Sequence, residues 1–249
     1  MEGKILDDLR EIIEKSNNIV FFGGAGVSTE SGVPDFRSEQ GLYNAKRDFG
    51  ASPETLLSHS FFVGDTKTFF DYYKHNLIYR DAKPNKAHLA LAKLEQMGKL
   101  KAVVTQNIDG LHQAAGSKTV YELHGSVARN YCMDCGEFYD LDYMMDEDNC
   151  IDGIPRCKKC GGIVKPDVVL YEEGLDDDTV IGAVNAIRNA DVLIIGGTSL
   201  VVYPAAGMVN YFKGSKLVLI NKQPTPQDRA ADLVIHVPIG EVLGEVVGV

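Results

Sequence analysis

Two pairs of cysteines constrain this chain more than any other feature of its 249 residues. Cys132 and Cys135 form one Cys-x-x-Cys motif, Cys157 and Cys160 form a second, and residues 136–156 separate them. Each motif directs two thiolates at one point, and two such motifs make the closed tetrahedral site that structural zinc prefers. We therefore predict one Zn²⁺ held by these four cysteines. Redox disulfides or buried free thiols are the alternative.

The charge of the chain argues against a nucleic-acid-binding role for this zinc module. The formal net charge is −10, so phosphate backbones are repelled on average. Lys158 and Lys159 lie in the second cysteine motif, but acidic residues crowd the region between 134 and 148. We expect no nucleic-acid partner.

Three features of the sequence indicate a cytoplasmic protein. The chain has no long apolar run, which predicts no membrane span. Residues 1–16 alternate charged and apolar residues, unlike the basic start and apolar stretch of a signal peptide. Thiolate metal sites also suit a reducing compartment. Cys150, the fifth cysteine, lies in an acidic loop and is interpreted as an incidental thiol.

Short apolar runs alternate with helical patterns along most of the chain. Such alternation predicts an α/β fold, here a Rossmann-like doubly wound parallel sheet. The predicted strands are 19–22, 102–105, 120–123, 192–195, 216–220 and 233–237, and the predicted helices are 4–16, 86–97, 178–189 and 204–212.

Two segments interrupt this alternation. Residues 38–83 are rich in aromatic residues and predict a small helical insert with its own local core. Residues 127–163 contain the cysteine pairs and predict an inserted zinc-ribbon module. The chain is then one domain, 1–249, with a Rossmann-like core made of 1–37, 84–126 and 164–249. A cleft is expected where inserts meet sheet.

Small or polar residues follow almost every predicted strand. Ligands of open α/β sheets bind beyond the carboxyl ends of the strands, so these residues predict a site long enough for a dinucleotide. The first run ends in Gly24-Ala25-Gly26, but a third glycine is missing at Thr29 and Pro34 interrupts any long helix. A plain dehydrogenase fingerprint is therefore disfavoured. Residues 30–37 instead predict a mobile loop that delivers Asp35, Phe36 and Arg37 over a cofactor.

His124 is the strongest candidate for a catalytic residue. It follows a predicted strand and precedes Gly125, and a histidine titrates near neutral pH, as a general base for a ribose hydroxyl should. A packing or capping histidine is the alternative. His88 lies in a stretch that predicts a helix start. Asp109 is the likeliest single carboxylate binder, with an Asx turn as its alternative.

Taken together, the motifs resemble the sirtuins, a family of NAD-dependent protein deacylases. The matching stretches run in family order: Gly24–Ser28, Ser31–Arg37, Thr105–Asp109, Leu123–Gly125, the two cysteine pairs, Gly161-Gly162 before Lys165–Asp167, and Gly197–Ser199. The resemblance covers roughly residues 15–225.

The resemblance implies that NAD is a co-substrate and that His124 is the general base. Asn107 would position a ribose or an ordered water, and Asp109 would hold the nicotinamide carboxamide together with Ile108. The full set of implied NAD contacts is Gly24, Ala25, Gly26, Thr29, Asp35, Phe36, Arg37, Gln106, Asn107, Ile108, Asp109, His124, Gly197, Thr198, Ser199 and Asn221.

The resemblance also implies the substrate and the chemistry. An acyl-lysine peptide would add a strand between two segments of the chain. The acyl oxygen would attack the ribose anomeric carbon of NAD, which gives lysine, nicotinamide and O-acyl-ADP-ribose. Zinc would have only a structural role, because four thiolates leave no open position for water. The implied peptide contacts are Val168, Val169, Leu170, Tyr171, Val201 and Val202.

Three departures from the family pattern affect the expected grooves. Gly23 stands where threonine is frequent, Ser38 where glycine is frequent, and Tyr171-Glu172 where Phe-Gly is common. The helical insert lacks the Tyr-x-x-Arg of members that prefer acidic acyl groups, so neutral acyl groups are expected. The competing hypotheses are a dehydrogenase, an ADP-ribosyltransferase on the same fold, and a non-enzymatic zinc-ribbon binding module.

Overall fold

The computed structural model describes residues 2–35 and 38–249. Its α-helices are α1 Glu2–Lys15, α2 Glu39–Phe49, α3 Pro53–Leu56, α4 His59–Gly64, α5 Thr66–Asn76, α6 Lys86–Gln96, α7 Leu111–Ala114, α8 Leu141–Met145, α9 Asp177–Asn189 and α10 Ile239–Val247. Its strands are β1 Ile19–Gly23, β2 Leu100–Thr105, β3 Val120–Glu122, β4 Gly125–Cys132, β5 Phe138–Tyr139, β6 Cys150–Ile151, β7 Ile154–Pro155, β8 Val164–Val168, β9 Val192–Gly196, β10 Lys216–Ile220 and β11 Leu233–Ile235. Within the described residues, the helices are all too short or too polar to cross a bilayer.

A six-stranded parallel sheet forms the centre of the molecule, in the order β11-β10-β9-β1-β2-β3. The predicted doubly wound sheet is thus confirmed. The register aligns the last residues of neighbouring strands, since Gly23 lies opposite both Thr105 and Gly196. The strand order reverses between β1 and β9, and a ligand crevice is expected beyond the carboxyl ends of these two strands.

Strand β1 shows how the sheet divides the core into two layers. Ile19 and Phe21 pack on one face with α1, α6 and α10, while Val20 and Phe22 pack on the other face with α9. All four side chains are fully buried. Burial of an aliphatic or phenyl side chain contributes about 1.5–3 kcal/mol, so this short strand is a strong anchor for the turn that follows it.

The helical stretch predicted at 204–212 is present, with a geometry that the sequence did not specify. The segment Ala205–Tyr211 forms a 3₁₀ helix rather than an α-helix. Gly207 lies in its middle and lowers the propensity of the segment for a regular α-helix. The segment still buries Met208 and Val209 against the sheet.

The helical segment and the cysteine region share a third core. Phe62, Phe69 and Phe70 pack edge to face, with ring centroids 4.9–6.1 Å apart. The same cluster includes Cys132, Cys157 and Val164, so the aromatic stripe supports the cysteine module as well as its own helices.

Strands β4 and β8 connect the cysteine module to the central sheet. They pair antiparallel, with Gly125 opposite Val168 at one end and Cys132 opposite Val164 at the other. Gly125 has φ +78°, and a Cβ there would lie 1.9 Å from the Asp167 carbonyl oxygen. Only glycine fits this crossing. The residue after His124 is therefore required by the approach of two strands, a reason that the sequence did not reveal.

Candidate active site

One cavity of about 850 Å³ lies along the carboxyl edge of the sheet. Its wall contains every described residue that the sequence predicted for cofactor or peptide binding. These are Gly24, Ala25, Gly26, Thr29, Asp35, Gln106, Asn107, Ile108, Asp109, His124, Val168, Val169, Leu170, Tyr171, Gly197, Thr198, Ser199, Val201, Val202 and Asn221. Phe36 and Arg37, also predicted, lie outside the described residues.

The glycines of the first turn allow two strand ends to meet. A Cβ at Gly26 would lie 2.8 Å from the Gly197 Cα, and one at Gly24 would lie 2.9 Å from the Thr198 Cβ. The Gly26 N–H donates to the Gly197 carbonyl over 2.8 Å. The turn after β1 thus packs directly against the turn after β9, and both turns face the cavity.

The backbone donors of this turn are used inside the protein. The N–H of Val27 donates to Gly24 and that of Ser28 donates to Ala25, which forms the short 3₁₀ helix Ala25–Val27. A dinucleotide turn that opens a regular helix would offer these groups to a pyrophosphate. The structure agrees with the sequence in disfavouring a plain dehydrogenase fingerprint.

Ser28 is the centre of a buried hydrogen-bond network. Its hydroxyl donates to Asp109 Oδ2 over 2.6 Å and accepts from Asn107 Nδ2 over 3.0 Å. The other oxygen of Asp109 accepts from the Leu111 N–H over 2.9 Å, at the start of α7. A charge-assisted bond of this length is among the stronger kinds, so Asp109 has a defined orientation at the cavity wall.

The Asx turn considered as the alternative for Asp109 is therefore present. One carboxylate oxygen does cap the following turn, while the other joins the network that includes the predicted catalytic Asn107. The two roles coexist.

The backbone carbonyl of Gln106, which follows the neighbouring strand β2, holds the His124 ring in place. Its Nδ1 lies 2.9 Å from the Gln106 carbonyl oxygen. A carbonyl only accepts, so Nδ1 carries a hydrogen, and in the neutral ring the lone pair is then on Nε2. The Gln106 side chain in turn donates to Thr198 Oγ1 over 3.1 Å. This tautomer is the one that a general base acting through Nε2 requires.

Asn221 marks the far end of the cavity. Its side chain donates to the Gln223 carbonyl over 2.8 Å, and its own carbonyl accepts from His236 Nδ1 over 2.8 Å. These bonds fix the loop after β10. Together with Thr198 and Ser199, Asn221 lines the cavity.

The predicted peptide segments form two walls of the same cavity. The Val169 N–H donates to the His124 carbonyl over 3.0 Å, so this segment continues past β8 beside the candidate base. In the second segment, Val201 is 59% exposed and the nearby Tyr203 is 73% exposed. Large exposed apolar side chains beside a cleft are typical of a surface that receives a partner chain.

Two glutamates attach the segment 168–173 to the helical segment. Glu172 adopts φ +77°, and its carboxylate accepts from the Ser60 N–H over 2.9 Å and from the Ser60 hydroxyl over 2.6 Å. Glu173 accepts from the Leu170 N–H over 2.8 Å and contacts His59 over 3.0 Å. A non-glycine residue in this conformation is uncommon, and these bonds compensate for it.

Opposing effects act on the pKa of Glu173. Burial raises the pKa of this carboxyl, but the hydrogen bonds from His59 and Leu170 and the charge of Lys165 outweigh burial and lower the pKa. The side chain is therefore ionised when it holds the segment in place.

The four predicted metal ligands come together in one cluster. The sulfur atoms of Cys132, Cys135, Cys157 and Cys160 all lie within 4.8 Å of one another. Three of the six Sγ–Sγ distances are 3.4–3.6 Å, near the ~3.8 Å that four Zn–S bonds of about 2.3 Å give in a tetrahedron. All five cysteines are free, so the disulfide alternative is wrong. The donor set fits one zinc ion and has no place for a fifth ligand.

Comparison with known proteins identifies the family. A sequence model described as the Sir2 family matches residues 24–204. The chain belongs to the Sir2 family. Two relatives named NAD-dependent protein deacetylase support this. The protein of Clostridium perfringens (strain 13 / Type A) is 64% identical over 99% of this chain and 100% of its own length. The protein of Clostridium acetobutylicum is 62% identical over 97% of this chain and 98% of its own length.

Solved Sir2 structures share the whole fold. A structure from work on the mechanism and regulation of Sir2 enzymes has a TM-score of 0.86 and 42% identity, and covers 100% of this chain and 98% of its own. A Sir2 homologue in complex with NAD has a TM-score of 0.86 and 37% identity, with 97% and 92% coverage. A complex of Sir2 with a p53 peptide and NAD⁺ has a TM-score of 0.85 and 35% identity, with 98% and 97% coverage.

Some residues of this Sir2 site were not predicted from the sequence. Ser28 lies in a run of small residues, and only its position four residues after Gly24 distinguishes it. Part of the cavity wall also comes from the helical insert 38–83, where a cleft was expected between insert and sheet but no individual wall residue was predicted. Those wall residues are Ser38, Leu57, Asn76, Leu77 and Tyr79.

Proposed function

We infer that this Sir2-family protein is an NAD-dependent protein deacetylase. Curated relatives with that name are 62–64% identical over nearly the whole chain. The single observation that carries the inference is the arrangement inside one cavity: His124 with a fixed tautomer faces the same space as the network of Asn107, Ser28 and Asp109. A proton acceptor and a carboxamide-binding group are both needed for this reaction.

The residues of the cavity fit NAD in one orientation. Asp109 and Ile108 bind the nicotinamide carboxamide, Gln106 and Asn107 contact the neighbouring ribose, and the adenosine half lies toward Asn221. The remaining contacts are Gly24, Ala25, Gly26, Thr29, Asp35, Phe36, Arg37, Gly197, Thr198 and Ser199. When bound, NAD supplies a nicotinamide leaving group and an ADP-ribose acceptor for the acyl group.

His124 is the general base of this reaction. The Gln106 carbonyl fixes its Nδ1–H, so Nε2 takes the proton of a ribose hydroxyl. Asn107 has a second role, because its side chain donates to Ser28 and so orients Asp109. The products are free lysine, nicotinamide and O-acyl-ADP-ribose.

The acyl-lysine peptide binds as an added strand between the two exposed segments. Val168, Val169, Leu170 and Tyr171 contact it on one side and Val201 and Val202 on the other. Main-chain hydrogen bonds then supply affinity with little dependence on sequence. This pairing brings the acyl-lysine to His124, whose carbonyl already binds the Val169 N–H.

Neutral acyl groups are the preferred substrates. Among the described residues, the helical insert lines the cavity with Ser38, Leu57, Asn76, Leu77 and Tyr79, and none of these is a cation. A buried acidic acyl group would require a positive partner there. Acetyl and other neutral acyl groups have no such requirement.

We also propose an organisation for the remaining chain. Cys132, Cys135, Cys157 and Cys160 hold one structural zinc, and residues 1–249 act as one catalytic domain made of the core and the inserts 38–83 and 127–163. A cytoplasmic location and the absence of nucleic-acid and membrane partners stay predictions from composition.

The test is incubation of the purified protein with an acetyl-lysine peptide, with and without NAD, followed by mass spectrometry. We expect deacetylation only with NAD, together with equal amounts of nicotinamide and O-acetyl-ADP-ribose. NAD cleavage that leaves ADP-ribose on protein without deacetylation would favour a transferase. No NAD consumption with acetyl or longer neutral acyl peptides would contradict the proposal.

A further inference from the structure

The side chain of Asn85 connects helix α6 to the loop that follows β1. Its Oδ1 accepts from the Ala87 N–H over 2.9 Å, which caps the helix. Its Nδ2 donates to the Val27 carbonyl over 2.8 Å and to Ser31 Oγ over 3.0 Å. One half-buried amide thus uses its acceptor and both of its donors. The Asn85 amide therefore holds helix and loop together in one orientation.

Asn85 is itself held in place from behind. Its N–H donates to His88 Nδ1 over 3.2 Å, which completes a capping box. The buried His88 ring packs edge to face on the buried His112 ring, with centroids 4.7 Å apart. His112 belongs to α7, the helix whose first N–H binds Asp109. The contact between the two histidine rings therefore supports both Asn85 and the helix that binds Asp109.

The two loop residues that Asn85 contacts lie on either side of Ser28 in the sequence. Val27 precedes Ser28 directly and Ser31 follows it by one turn. Ser28 is 1% exposed and makes the 2.6 Å bond to Asp109. A bond so short depends on the position of the loop to within a few tenths of an ångström. Glu30, in the same loop, accepts from the Gly240 N–H over 2.8 Å and connects the loop to α10 instead of α6.

We propose that Asn85 is a positioning residue for the nicotinamide end of the NAD site. It acts through Val27 and Ser31, which keep Ser28 bonded to Asp109 and Asn107. The proposal rests on the proposed function, because it assumes that this network binds NAD. Asn85 itself touches neither substrate.

Asn85→Asp is the decisive variant. Aspartate caps a helix as well as asparagine does, so the bond to the Ala87 N–H is retained. It has no Nδ2 hydrogens, however, and its second oxygen would face the Val27 carbonyl. Asn85→Ser is the second variant, because serine also caps the helix but is too short to reach both loop acceptors.

In steady-state assays, we expect both variants to raise the KM for NAD about 10-fold, the factor expected when two neutral hydrogen bonds weaken. The KM for the acetyl-lysine peptide and the zinc content should stay unchanged. Asp65→Ala is the matched control. Asp65 caps α5, a helix of the same length as α6, through the Thr68 N–H, and its loss should lower the melting temperature without changing the KM for NAD.

Asp109→Asn, measured in parallel, separates the two levels of the proposal. If Asp109→Asn raises the KM for NAD and both Asn85 variants behave like wild type, the role of Asn85 is wrong and the proposed site stands. If Asp109→Asn also has no effect, the site assignment and the role of Asn85 both fail. Equal increases in both KM values for Asn85→Asp would indicate general loosening, which overturns a specific positioning role.

Discussion

The zinc module and the cofactor cleft are built in opposite ways. The four zinc ligands come from two motifs, each only four residues long, in a region whose strands β5, β6 and β7 have two residues each. The cleft joins residues that are far apart along the chain: Ser28 and Asp109 are 81 positions apart, and Gln106 and Thr198 are 92 apart. The module contains its own ligands locally, whereas the cleft exists only when the parallel sheet has formed.

This difference indicates where each region obtains its stability. The cleft rests on strands that are almost entirely buried, with hydrogen bonds that close without any ligand. The module has little regular structure, and its buried Cys132 and Cys157 belong to the core shared with the aromatic helices. Thiolates near one another repel unless a cation joins them. The module should therefore depend on its metal, and the cleft should not.

Removal of one zinc ligand should have the largest effect. Cys157→Ala is expected to lose zinc, to lower the melting temperature strongly and to abolish deacetylation, because structural zinc supplies folding free energy. Activity is lost because β4 and β8, which carry the module, also flank His124 and the segment 168–171. Zinc stoichiometry by mass spectrometry and thermal unfolding measure these effects.

Cys150→Ser is the control for this experiment. Cys150 lies outside the four-cysteine cluster and contacts Lys74 Nζ over 3.3 Å. Its substitution should leave one zinc per chain. A Cys157→Ala protein that retained one zinc and wild-type activity would contradict the assigned ligand set and the contrast between the two regions.

Substitution of the general base should give the second largest effect, without any change in fold. His124→Ala is expected to lower kcat by about 10²–10⁴-fold, the usual contribution of general acid–base catalysis. His124→Asn is the matched variant, because its side-chain amide can still donate to the Gln106 carbonyl but cannot take a proton. Equal losses in the two variants, with unchanged zinc and melting temperature, are the expected result. Substantial activity in His124→Asn would mean that His124 has a positioning role, through its bond to the Gln106 carbonyl, and is not the general base.

The contrast also explains what the sequence could predict. The cysteine motifs carry their own spacing, and the polar residues after each strand mark the sheet edge because parallel strands end together. Asn85 was interpretable only as part of a helix start, which the structure confirms. Its second pair of partners, Val27 and Ser31, lies 54–58 positions earlier and depends on the packing of α6 against the loop. The role of Ser28 was missed for the same reason, because its partner Asp109 lies 81 positions later in the chain.

The buried histidine pair should make stability depend on pH. Burial, with the neighbouring His88, lowers the pKa of His112 to about 3, and burial lowers that of His88 to about 4 against the opposing charge of Asp109. The unfolded chain binds these protons near pH 6.5. Stability is therefore full above that pH and falls as pH drops toward 4, by about 2 kcal/mol per histidine at pH 5.

His112→Phe tests this dependence of stability on pH in the part of the protein that forms the cofactor cleft. The variant should reduce the loss of unfolding free energy between pH 7 and pH 5 by about 2 kcal/mol, because one buried proton acceptor is gone. Urea unfolding at the two pH values measures it. His75, exposed on α5, provides the control substitution His75→Gln. An identical pH dependence in wild type and His112→Phe would show that the acid sensitivity originates elsewhere.

The smallest effect should come from the hydroxyl of Tyr139, beside the zinc ligands. It donates to Cys157 Sγ over 3.2 Å and accepts from the Lys158 N–H over 2.9 Å. A hydrogen bond to a ligand sulfur orients it and stabilises its charge, and loss of such a bond typically weakens metal binding at least ~10-fold. Tyr139→Phe should therefore release zinc to a chromogenic chelator faster, while deacetylation in zinc-buffered solution stays unchanged. Tyr131→Phe is the matched control, because Tyr131 is 39% exposed and packs on Phe138 away from the sulfurs. Equal release rates in the three proteins would mean that the four thiolates alone determine zinc affinity, and the module would then be even more self-contained than its sequence indicates.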